Sequence, residues 1–188
     1  MRAIERRSYL RVESSAGVFH RAITRNQADS EPVESILSLG PHFAMRQELY
    51  RLELEARELQ RAVATRDRVF GSFCHNLNQR LELLGASLSP AAEGDLQPVT
   101  NLSPAGVSYI SRDFHVAGDY LALRIDINES SLAVACIGRV CYCLLLDDDQ
   151  YRLGVQFLAP DSTTEALLER HVSALLAEER RRRLHNPE

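Results

Sequence analysis

Lysine is missing from this chain. All 22 basic residues are arginine, so an anion site here is built from planar guanidinium forks rather than ammonium point charges. A basic surplus is missing too. With a net charge of −4, the chain lacks the excess that proteins tracking nucleic-acid phosphates carry. No run of eighteen apolar residues occurs, and the opening MRAIERRSY is charged with no hydrophobic segment behind it. Neither a membrane span nor a secretory signal is indicated, and a cytoplasmic location is expected. Cysteine is scarce: Cys74, Cys136, Cys141 and Cys143 show neither metal-ligand nor redox spacing and read as small apolar residues in a reducing compartment. Cys141 and Cys143, two apart, are expected on one face of a strand. The histidines are scattered at positions 20, 42, 75, 115, 171 and 185, with no HExxH, no glycine-rich phosphate loop and no nucleophile elbow. No enzyme, metal or cofactor is expected.

The strongest feature present is a heptad pattern between His42 and Gly85. Met45, Leu49, Leu52, Ala56, Leu59, Val63, Phe70, Phe73, Leu77 and Leu84 recur in steps of four and three, with Arg66 and Arg80 interrupting at d positions. An uninterrupted helix of this span would be about 65 Å long at 1.5 Å per residue, more than a small domain can cover. The register runs intact across Gly71, from Val63 through Phe70 to Leu77, whereas a hairpin turn at Gly71–Ser72 has no reason to conserve the seven-residue count. One long helix is therefore expected, its seam buried between copies in a parallel coiled coil, tetramer ahead of dimer. Arg66 in that seam would set register or oligomer state at a cost in stability.

Around this helix the chain reads as β structure. Tyr120 to Ile127 alternates, with Leu121, Leu123, Ile125 and Ile127 on one face. Leu132 to Leu146 is a long apolar strand in which Gly138 permits a bulge, Asp147 to Asp149 turn the chain, and Tyr151 to Leu158 returns antiparallel. Gly17 to Thr24 is a weakly signalled extended piece. Ser30 to Gly40 reads as a short helix capped by Ser30, and Ser87 to Pro98 reads as a linker. A terminal helix begins near Ser162, where Ser162 and Glu165 have capping-box spacing, and carries Leu168, Val172, Leu175 and Leu176 as its stripe. The expected class is α+β: a small antiparallel barrel from residues 1–29 and 96–188, ending in a helix, with residues 30–95 inserted as a helical oligomerisation module.

Two short motifs stand out against this scaffold. Arg7-Ser8-Tyr9-Leu10-Arg11 places two guanidiniums four apart near the N-terminus, and Asn101-Leu102-Ser103-Pro104-Ala105-Gly106 immediately precedes a strand. Each alone is ordinary surface or turn chemistry. Flanking a barrel that closes with Gly154-Val155-Gln156-Phe157, they resemble the RxxxR and (D/N)xSxxG signatures of the PilZ domain family, over residues 5–16 and 96–184. The resemblance implies a six-stranded barrel and a receptor for cyclic di-GMP. Arg7 and Arg11 would grip phosphates and guanine faces, with Arg6 as an extra phosphate contact. Asn101 and Ser103 would meet the second guanine, and Gly106 would stand at its turn. Guanidinium forks suit phosphate and guanine O6 and N7, while an amide and a hydroxyl suit base edges. The resemblance leaves a second reading open: an oligomeric adaptor of the same fold that acts through a protein partner, with little or no direct nucleotide binding.

Overall fold

The structure, a computed structural model, describes residues 16–87, 96–127, 132–146 and 149–185. Six strands form its centre: β1 (Ala16–Ile23), β2 (Gln97–Ser103), β3 (Gly106–Ser111), β4 (Tyr120–Ile127), β5 (Ala133–Leu145) and β6 (Tyr151–Phe157). They close into an antiparallel barrel in the order β1-β2-β3-β6-β5-β4. The alternation in β4 is realised: Leu121, Leu123, Ile125 and Ile127 join Val18, Leu102, Val107, Tyr109, Val134, Leu153 and Val155 in one core. Closure leaves no edge strand with unpaired backbone groups. Among the described residues no helix is long and apolar enough to cross a membrane, and no group of three or more His, Cys, Asp or Glu is arranged to hold a metal ion.

The outer face of β4 and its neighbours is covered as well, which the polar residues at alternate positions had not suggested. Ile36, Leu37, Ala122 and Ala135 form a second buried cluster, flanked by Phe19, Ile23, Val33, Leu39, Phe43 and Ile137. Residues from Val33 to Phe43 build this cover, beyond the first of two short helices that follow β1. α1 (Arg25–Ser30) starts at a capping box between Thr24 and Gln27, and α2 (Val33–Ile36) follows Pro32. The helix expected over Ser30 to Gly40 is thus only the short α2, and Ser30 ends α1 instead of capping a helix. Thr24 wins because its hydroxyl accepts from the Gln27 amide while Gln27 reaches back to the Thr24 amide, satisfying two orphan donors at once.

The long heptad segment is also two helices. α3 (Pro41–Ala64) and α4 (Arg68–Ser87) fold against each other as an antiparallel hairpin, and the expected uninterrupted helix is corrected accordingly. Asp67 supplies the reason. Its carboxylate accepts from the Val69 and Phe70 amides at 2.9 and 3.0 Å, an N-cap that starts a new helix three residues past the end of the old one. Thr65 turns its hydroxyl back onto the Ala62 carbonyl. Just beyond the turn, a Cβ on Gly71 would lie 2.7 Å from the Ala64 Cα, so this glycine allows the two helices to touch. Farther along, Asn78 donates to Gln60 across the pair at 3.1 Å. Arg66 is exposed in the turn between α3 and α4.

The base of α3 is fixed to the barrel. Buried Arg46 pairs with Asp126 of β4 at 2.5 Å, and Asp126 also accepts from Arg124 at 2.8 Å. One turn later Tyr50 enters the barrel core cluster, its hydroxyl 3.4 Å from His171 Nδ1 of α5 (Ser162–His185). α5 lays Leu167, Leu168 and Val172 onto the same core, with Leu175 and Leu176 packed at its margin. Its cap is Asp161 rather than Ser162: that carboxylate accepts from the Thr163 and Thr164 amides, both at 2.9 Å, which a shorter serine hydroxyl one position later cannot do.

Candidate functional site

The Asn101–Gly106 segment forms the β2–β3 hairpin. Ser103 pairs with Gly106 across the turn, and its hydroxyl donates to the Gly106 carbonyl at 3.0 Å. Gly106 is required by space. A Cβ there would run into the Val155 carbonyl of β6, so glycine is what lets β3 and β6 approach at this rim.

Asn101 reaches the outer wall through a β-bulge. Val99 pairs with Tyr109, but Asn101 pairs with Ser108, leaving Thr100 as the extra residue. Were Thr100 paired in an unbroken ladder, Asn101 would oppose Val107, a core residue, and its amide would be buried in the barrel. With the bulge, Asn101 shares a face with Ser108. The Thr100 hydroxyl secures the bulge, lying 3.0 Å from the Ser108 carbonyl and 3.1 Å from its hydroxyl. Asn101 is half-buried and Ser103 buried.

Arg6, Arg7 and Arg11 lie outside the described residues. β1 begins at Ala16, five positions after Arg11, and pairs with β2 at Gly17–Pro98 and Val18–Gln97. Since the two strands are antiparallel, β1 begins beside the part of β2 that goes on to Asn101.

A separate polar group occupies one mouth of the barrel. Inward-facing His20 places Nε2 3.2 Å from His115 Nε2 and 3.3 Å from Asp113, while His115 Nδ1 is 3.8 Å from Asp119. Burial, reinforced by the neighbouring His115, holds the His20 pKa below its ordinary value against the pull of Asp113. Tyr109, whose ring packs on His20, has its phenol pKa raised, chiefly by burial and secondarily by Asp113. Nothing in the sequence marked this group, because its members come from β1, β3 and the β3–β4 loop.

The residues assigned to the heptad seam form an incomplete interface within one chain. Leu49, Ala56 and Val63 are half-buried, whereas Met45, Leu52, Leu59, Phe70, Phe73, Leu77 and Leu84 remain exposed, as do Val69, Leu81 and Leu83. Phe70 and Phe73 stack on each other with ring centroids 6.3 Å apart. The thiols follow the expectation in part: Cys136 is buried with its pKa raised, but Cys141 is exposed and Cys143 packs against the core. A bulge between Val140 and Tyr142 separates the latter two onto different faces.

Comparison with known proteins agrees with this architecture. The PilZ domain model matches residues 76–174, more than half of the chain. That match contains five strands; the sixth, β1, lies upstream of the helices and joins the barrel only in three dimensions. A Xanthomonas campestris protein described as a tetrameric PilZ domain self-assembled via an unusual helical bundle is 17% identical, with 94% of this chain and 91% of that chain covered and a TM-score of 0.55. The Bacillus subtilis inhibitor of motility MotI/DgrA is 10% identical over 93% of this chain, with a TM-score of 0.49; the present chain spans about half of its length, 53%. The PilZ domain of Escherichia coli YcgR, solved with c-di-GMP, is 20% identical over 48% of this chain and 80% of that one, with a TM-score of 0.36. No curated protein sequence matches the chain.

Proposed function

This chain belongs to the PilZ domain family, and from that premise we propose that it is a non-enzymatic cyclic di-GMP receptor whose helical module assembles several barrels. Arg7 and Arg11, with Arg6 beside them, hold phosphates and guanine faces; Asn101 and Ser103 take the second guanine, with Gly106 keeping the rim open. The observation that carries the reading is the pairing of Gly17 with Pro98. It sets Gly17, six residues past Arg11, against β2 three residues before Asn101, which supports a rim shared by two motifs some ninety positions apart. Calorimetric titration with cyclic di-GMP tests this. Arg11→Ala is expected to bind about ten- to a hundredfold more weakly, the loss of a charge-assisted contact. No wild-type binding at high micromolar ligand overturns direct sensing, and binding unchanged in Arg7→Ala, Arg11→Ala and Asn101→Ala overturns this site.

Assembly is proposed on the exposed apolar faces of α3 and α4. Monomeric proteins rarely expose contiguous apolar patches of this kind, and the Phe70–Phe73 pair and the leucines around it are suited to burial against other copies. Copies set side by side with their barrels at one end bury these faces in a parallel homo-oligomer, tetramer ahead of dimer, as the helical bundle of the Xanthomonas protein also suggests. Light scattering is expected to give a mass above the monomer. A concentration-independent monomer overturns assembly, and a dimer overturns only the stoichiometry.

One observation favours the adaptor reading instead. Ser103 is buried and its hydroxyl proton is spent on the Gly106 carbonyl, leaving it acceptor capacity alone toward a ligand. Failure to bind the nucleotide in the titration would promote that reading, with the oligomeric barrel recognising a protein.

A further inference from the structure

A second bulge stands across the sheet from the first. On β5, Val140 pairs with Val155 but Tyr142 pairs with Gly154, so Cys141 is the extra residue. In an unbroken ladder Tyr142 would oppose Leu153, a core residue; the insertion turns it to the outer wall. The bulges on β2 and β5 flank the regular β3–β6 pair, and together they align one transverse row: Asn101, Ser108, Gly154, Tyr142. A single bulge would bring only one of the two outer side chains into that row.

The row holds an aromatic ring flat. A Cβ at Gly154 would overlap the Tyr142 ring, so the ring lies directly over the bare backbone of β6. Its hydroxyl reaches β3, 3.2 Å from the Ser108 hydroxyl, which in turn is 3.1 Å from Thr100. Three hydroxyls in sequence tether the ring in the plane of the wall, and Thr100 is the same residue that forms the Asn101 bulge. The ring of this half-buried side chain covers Gly154, and its hydroxyl end reaches β3, the strand next to that of Asn101.

We propose that Tyr142 is the base-stacking platform of the nucleotide site, receiving a guanine flat on its outward face while Asn101 addresses that base's edge. This rests on the cyclic di-GMP reading above. A π-face accepts any base by stacking, and an amide in the same row adds edge recognition to it. Covering a glycine in a sheet also uses an aromatic ring, so the test separates the two uses by keeping the cover and removing the π-face. With cyclic di-GMP as the probe, Tyr142→Leu is expected to bind at least about tenfold more weakly, and Tyr142→Phe within about threefold of wild type. The ring resonances of Tyr142 in the wild-type protein are expected to move upfield on titration, a ring-current effect that glycine cover does not produce. That measurement holds even where Tyr142→Leu unfolds. Wild-type binding that Asn101→Ala weakens, with Tyr142 resonances unmoved and Tyr142→Leu within twofold, overturns this role and leaves the receptor reading standing. Absence of wild-type binding overturns both.

Discussion

The barrel wall and the helical hairpin carry equally regular apolar patterns, yet only one of them consumes its pattern. Leu123 of β4 is 0% exposed, while Leu59 of α3 is 68% and Phe73 of α4 62% exposed. A barrel closes on itself, so each inward side chain meets others from strands across the core. Two helices meet along one line only, and apolar residues away from that line keep their contact with water. Periodicity states that a face is to be buried; the number of elements around it decides whether the chain can do so alone. The join between the two regions adds a polar cluster to the packing of Tyr50: Arg46 and Asp126 are buried, with half-buried Arg124 beside them, where α3 leaves the wall.

That join is where the comparison breaks most sharply. Asp126→Ala removes the carboxylate that Arg46 and Arg124 share, and a loss of about 3–5 kcal/mol is expected, read from the denaturant midpoint. A loss below about 1 kcal/mol would show that this ion cluster contributes little to holding the helices on the wall. Inside the hairpin the effect is smaller. Asp67→Ala removes the cap that starts α4, at a cost of about 1 kcal/mol, whereas Arg66→Leu beside it, changing an exposed turn residue, should stay within about 0.5 kcal/mol. Equal effects at 66 and 67 would argue against a turn held by the Asp67 cap.

The smallest effect concerns the barrel mouth and is a pH dependence. His20 has a folded-state pKa below its unfolded value near 6.5, so below that pH the unfolded chain binds the proton more readily. Stability should therefore be full above about pH 6.5 and decline as pH falls toward the folded pKa. His20→Gln is expected to flatten this part of the profile while other groups continue to titrate. An unchanged slope would place the proton linkage elsewhere.

Family membership was legible from the second motif and the closing strands, because hairpin chemistry and alternation are local. Asn101, Ser103 and Gly106 lie within six residues on one hairpin, and their spacing alone keeps them together. β1 was faint for the opposite reason: eight residues with histidine and arginine among them gain their place only by pairing with β2 and β4. The break in the heptad segment was masked by a register that continues through it, although Thr65 and Asp67 carried the local signal for a stop and a cap.

By itself the sequence determined which segments alternate, which faces are apolar, where the hairpin rim falls and that every cation is a guanidinium. Tertiary structure alone decided that the helical segment folds back at Asp67, that a strand from before it completes the barrel, and that Asn101 and Tyr142 share a face. The physical reason is the two-residue period of a strand. One inserted residue reverses every side chain beyond it, and whether Thr100 or Cys141 is inserted depends on the partner strand's register, which neither segment contains.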